Sequence, residues 1–87
     1  MKKDYPENVI VTVRWEEQDM EADVRLPTDT MFGNWLPELV GVLNKYRGTK
    51  LTPRTLTISY NGRKLLLNDT LASLGAWDGS VLWLEER

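Results

Sequence analysis

The sequence predicts an α+β domain in which one long helix lies across one face of a mixed sheet of about five strands. Three observations carry that prediction. Only Met31–Tyr46 (MFGNWLPELVGVLNKY) has the 3.6-residue recurrence of a one-sided helix, with Met31, Trp35, Leu39, Val42 and Leu43 on a stripe widened by Phe32, Leu36 and Val40. The opening segments alternate with a period of two. The remainder breaks into short apolar runs separated by turn signals. With a single helix on offer, the strands before and after it share that surface.

Taken in order, Val9, Val11, Val13 and Trp15 fall on one side of the first strand, and Ile10, Thr12 and Arg14 on the other. Residues 21–26 repeat the pattern, with Ala22, Val24 and Leu26 opposed to Glu21, Asp23 and Arg25. The connection 16–20 contains no glycine, which predicts a hairpin loop longer than two residues. Pro27 closes the hairpin. Thr28, Asp29 and Thr30 are candidate N-caps for the helix, Gly48 its stop, and Lys45 and Arg47 suit the carbonyl end of its dipole. Pro37 cannot bond back to Gly33. It implies either an irregular first turn with the regular helix beginning near Asn34, or a bend near Gly33.

In the polar connector after Gly48, Pro53 is expected to forbid helix. Leu56–Tyr60 reads as the third strand, with Leu56, Ile58 and Tyr60 opposed to Thr57 and Ser59. Asn61-Gly62 is a strong hairpin signal leading into a short fourth strand at Lys64–Leu67. Asn68-Asp69-Thr70 caps one helical turn at Leu71–Leu74, Asp78-Gly79 turns again, and Val81–Leu84 is the last strand. The first and last strands are expected side by side and parallel, joined by a right-handed crossover. A ferredoxin-like arrangement needs two full helices, so a β-grasp arrangement is predicted.

The chain of 87 residues has a net charge of −2, with no histidine and no cysteine. Its length suits one domain, taken as residues 9–87 after a flexible lead-in at 1–8. Missing cysteines exclude disulfide and thiol chemistry and are compatible with a cytoplasmic setting. Missing histidines remove the commonest general base and metal ligand. The weakly acidic balance argues against nucleic acid, and no apolar run is long enough to span a membrane. Residues 1–30 carry four Lys/Arg against eight Asp/Glu, residues 31–66 six against one, and residues 67–87 one against four. A basic middle between acidic ends fits either a dipolar docking surface or a solvated polar face.

From Gly62 to Leu84, GRKLLLNDTLASLGAWDGSVLWL resembles the second half of ubiquitin and lies on it without gaps, with the NG turn, Leu65, Thr70-Leu71 and Leu82/Leu84 all in place. The first half fits with small length differences. More narrowly, RLPTDTMFGNWLPELVGVLN and LASLGAWDGSVLWL are similar to the corresponding stretches of the YukD/EsaB group. Those are small ubiquitin-like proteins or domains of type VII (WXG100/ESX) secretion systems of Gram-positive bacteria. The resemblance implies a cytoplasmic accessory protein that binds a membrane or ATPase component of that machine, or a copy of itself. An interaction module of an unrelated pathway is the alternative. Against a conjugated modifier or sulfur carrier, the chain ends Glu85-Glu86-Arg87 instead of in diglycine, and Ser59 and Glu85 stand where ubiquitin has its recognition isoleucine and valine.

No constellation for catalysis, cofactor or metal binding is expected. The carboxylate pairs Glu16/Glu17 and Glu85/Glu86 sit in a loop and near the end of the sequence, and Ser59 and Ser73 have no histidine partner. Candidate binding residues are instead the apolar ones that the inward pattern does not use. Trp35 reads as core. Trp83 alternates opposite Leu82 and Leu84, which sets it on the open sheet face with Arg14, Thr57 and Ser59. Trp77, Leu66 and Arg63 extend the candidate surface.

Overall fold

In the computed structural model, which describes residues 6–86, a five-stranded sheet carries one long helix across one face. The strands are β1 (Asn8–Trp15), β2 (Met20–Pro27), β3 (Leu56–Tyr60), β4 (Arg63–Lys64) and β5 (Val81–Glu86). The helices are α1 (Phe32–Arg47) and the single turn α2 (Leu71–Leu74). The order across the sheet is β2-β1-β5-β3-β4, with β1 and β5 parallel at the centre and the other neighbours antiparallel. Of the predicted lead-in, residues 1–5 lie outside the described residues, while Asn8 already belongs to β1.

Period-two alternation decides which face of the sheet is covered. Val9, Val11, Val13 and Trp15 of β1, Leu56 and Ile58 of β3, and Leu82 and Leu84 of β5 are all buried. They meet Phe32, Trp35, Leu36, Leu39, Val40 and Leu43 of α1, where the Phe32 and Trp35 rings pack edge to face at 5.0 Å. The β1–β2 hairpin closes through a 3-10 turn at Glu16–Gln18 and a left-handed Asp19, the longer loop expected without glycine. Asn61 and Gly62, both at positive φ, turn β3 into β4.

Several boundaries differ from the expectation, each for a local reason. α1 begins at Phe32, before the regular start expected near Asn34, and Pro37 lies inside it. Its first turn is tightened by an Asn34 N–H bond to the Met31 carbonyl at 2.8 Å. None of Thr28, Asp29 and Thr30 caps it. The N-cap is Met31, without a side-chain bond. The free N–H groups of Phe32 and Gly33 instead donate to the carbonyls of Asp69 and Leu67, at 2.7 and 2.9 Å. Backbone from the segment between β4 and α2 thus does the work of a capping side chain.

Thr28 is turned inward, 1% exposed, and its hydroxyl lies 2.6 Å from the Pro6 carbonyl oxygen and 3.1 Å from that of Glu7. β4 stops at Lys64 instead of Leu67, because Asp69 gathers the chain behind it by accepting the Leu66 N–H at 2.7 Å and the Arg63 guanidinium at 3.3 Å. β5 runs on to Glu86, paired with Leu56. Pro53 does start a 3-10 turn (Pro53–Thr55), at a position where a missing N–H costs nothing. Just before it, Leu51 is 3% exposed, fixed by Asn44 of α1, whose amide both donates to and accepts from the Leu51 backbone.

Candidate interaction face

The side of the sheet away from α1 is open, and strand register assembles one row of side chains across all five strands. Glu21 pairs with Arg14, Arg14 with Trp83, Trp83 with Ser59, and Ser59 with Lys64. Trp83 stands at the middle of that row, 41% exposed, whereas Leu82 beside it is fully buried. The Arg14 guanidinium lies 5.9 Å from the Trp83 ring centroid and binds the Glu21 carboxylate at 2.8 Å. A cation held from one side by a carboxylate and from the other by an indole keeps its rotamer, so the ring is presented in a fixed orientation.

Beside Trp83 the surface dips into a concavity of about 190 Å³ lined by Glu16, Glu17, Ser59, Trp83, Leu84 and Glu85. Thr57 pairs with Glu85 in the adjacent row. The predicted set Trp83, Ser59, Thr57 and Arg14 is therefore brought together on one face. Two exposed residues of that face escaped the sequence reading. Lys64 enters through its pairing with Ser59, on the opposite parity from buried Leu65, and Ile10, 47% exposed, follows the Thr12/Arg14 side of β1. The parity of Ile10 was visible in the alternation, but its exposure depends on none of the described elements packing over that face.

The other three candidates lie apart. Arg63 pairs in register with Tyr60, on the opposite parity from Ser59 and Lys64, and its guanidinium is engaged with Asp69. Leu66 is 57% exposed just beyond β4. Trp77 is exposed in the loop before β5, where its N–H donates to the Ser80 hydroxyl. That loop is pinned to the β5 flank of β1 by the Asp78 carboxylate, which accepts the Ile10 N–H at 2.7 Å, and by the Gly79 N–H, which donates to the Ile10 carbonyl at 2.9 Å.

Residues 8–84, almost the whole of the fold just described, match the family described as WXG100 protein secretion system (Wss), protein YukD. The chain belongs to the YukD family. Solved structures agree with the fold of that family. A designed protein based on ubiquitin aligns with a TM-score of 0.70 at 27% identity, covering 94% of this chain and 92% of that one. Ubiquitin of Caldiarchaeum subterraneum aligns with a TM-score of 0.73 at 23% identity, covering 92% and 94%. Curated proteins give no match. The mixed sheet and single main helix are thus the ubiquitin-like β-grasp arrangement, and in this chain Trp83 lies on the sheet face away from the helix. Among the described residues no helix is long and apolar enough to cross a membrane.

Proposed function

We propose that this YukD-family chain is a non-catalytic, cytoplasmic accessory protein of a type VII secretion machine, and that it docks through its open sheet face onto a membrane-anchored or ATPase component. The observation that carries the reading is Trp83. It is a large aromatic ring held by Arg14 at the centre of an uncovered sheet face, beside a concavity walled by Glu16, Glu17 and Glu85. Aromatic residues oriented by their neighbours and ringed by polar groups are where binding energy concentrates in protein interfaces. The acidic wall favours a basic contact surface on the partner. Membership of the family supports the placement in the secretion machine. The chain's chemistry supports a docking role over catalysis, because it offers neither histidine nor cysteine to serve as base or nucleophile.

The test is direct titration of the purified chain with the purified cytoplasmic domains of the membrane and ATPase components from the same secretion locus. Binding by one of them, weakened about 30-fold or more by Trp83→Ala, is expected, that being roughly 2 kcal/mol at a buried aromatic anchor. Binding to none of them, or binding indifferent to Trp83→Ala, would overturn the docking mode.

A further inference from the structure

The two edges of the sheet differ. β4 is two residues long, whereas β2 runs eight residues and, among the described residues, is paired only on its β1 side. The Thr28 N–H donates to the Glu7 carbonyl at 2.9 Å, and antiparallel alternation from that bond turns the backbone groups of Leu26, Val24 and Ala22 toward β1. Those of Arg25, Asp23 and Glu21 point outward, along an edge of the kind that pairs with another strand.

Two outward groups are already accounted for. Pro27 has no N–H, and the Glu21 carbonyl accepts the Arg47 guanidinium of α1 at 3.1 Å. The two features are complementary. In an antiparallel pairing about a two-fold axis at Val24, Glu21 faces Pro27 of the other copy, so the missing donor meets the occupied acceptor. Between them, Asp23 and Arg25 present their N–H and C=O groups for four inter-strand bonds. The same axis sets Asp23 of each copy opposite Arg25 of the other, on the open-face side, where opposite charges in cross-strand pairs attract. On the helix side, Val24 meets its own copy. There the seam between β2 and α1 opens into two concavities of about 310 and 300 Å³ that share Asp23, Val24 and Val42. Val42 of α1, 43% exposed, lines both, and Tyr46, 71% exposed, lines the smaller.

We infer that β2 is the homodimerisation edge of this protein, pairing antiparallel with β2 of a second copy in the register that sets Asp23 against Arg25. The interface is isologous, so every contact occurs twice. It joins the two sheets into one of ten strands and leaves both helices on one side and both Trp83 rings on the other. The seam is short, which makes the association weak and reversible.

Sedimentation equilibrium from about 10 µM to about 1 mM tests it. The unaltered chain is expected to pass reversibly from monomer to dimer across that range. Asp23→Lys and Arg25→Glu each turn two attractive pairs into two repulsive ones, and each is expected to weaken self-association about tenfold or more. Mixed together, the two variants restore dimer as a heterodimer, and the double variant restores the homodimer. Trp83→Ala leaves self-association unchanged, so this result is independent of the docking face. Should either variant lose its circular-dichroism melt, Asp23→Asn and Arg25→Gln carry the same test with a smaller shift. A chain monomeric throughout, a dimer indifferent to both charge changes, or one abolished by Trp83→Ala would overturn the inference.

Discussion

Neighbouring side chains here have opposite fates, and that contrast can be measured. Leu82 is fully buried and Trp83 is 41% exposed, although they are adjacent in β5. Leu82→Ala is expected to cost about 2–5 kcal/mol in urea unfolding, the range for a truncated core aliphatic. Trp83→Ala is expected to cost about 1 kcal/mol or less, since it gives up chiefly its contact with Arg14 and its cross-strand neighbours. Thr28→Val replaces a buried hydroxyl by a methyl of similar shape and strands the Pro6 carbonyl, while the Glu7 carbonyl keeps the Thr28 backbone N–H. A loss of about 1–3 kcal/mol is expected, read by the same urea titration. The Trp83 placement was legible in the sequence because side-chain parity along a strand is a local property. The Thr28 role was not. A threonine before a helix reads as a cap, and only the folded chain brings Pro6 and Glu7 close enough to compete for its hydroxyl.

Within elements, α1 offers a paired test. Gly41 is exposed in mid-helix with nothing within 4 Å of where a Cβ would stand, whereas a Cβ on Gly33 would lie 3.3 Å from both the Leu67 side chain and its carbonyl oxygen. Gly41→Ala is expected to stabilise the protein by about 0.5–1 kcal/mol, through the lower entropy of an alanine in the unfolded chain. Gly33→Ala gains the same entropy but must push the Leu67 backbone away from the Gly33 N–H it accepts, so its melting temperature is expected to fall below that of Gly41→Ala. The long helix and the strands were readable from periodicity, which spans many residues and tolerates an exception such as Pro37. The helix start, the early end of β4 and the burial of Leu51 were not. Each is set by one or two particular hydrogen bonds that periodicity does not register: the helix start by the distant carbonyls of Leu67 and Asp69, the end of β4 by the nearby Asp69 carboxylate, and Leu51 by the Asn44 amide.

At the scale of the whole molecule, the sheet has a covered side, an uncovered side and one long edge, and each has its own chemistry. The covered side is aliphatic and aromatic throughout, and it was foreseen from composition and alternation. The uncovered side was foreseen as a face but not as a continuous row from Glu21 to Lys64, because that row exists only once four separate strand registers are set. The edge at β2 was invisible in sequence, since which backbone groups point outward depends on which strand lies beside it. Trp83→Ala and the two charge variants at β2 therefore probe separable properties, partner docking and self-association. Each is expected to leave the other unchanged when titration and sedimentation are run on the same preparations.

The central parallel pair joins β1 to β5, the first strand of the fold to its last. During translation, neither β1 nor β3 finds that neighbour until Val81–Glu86 has left the ribosome. The domain thus waits for its last strand before the centre of its sheet can close. Pairing β1 with β5 closes a loop spanning nearly the whole domain, a non-local contact whose closure entropy slows folding relative to a fold built from local contacts.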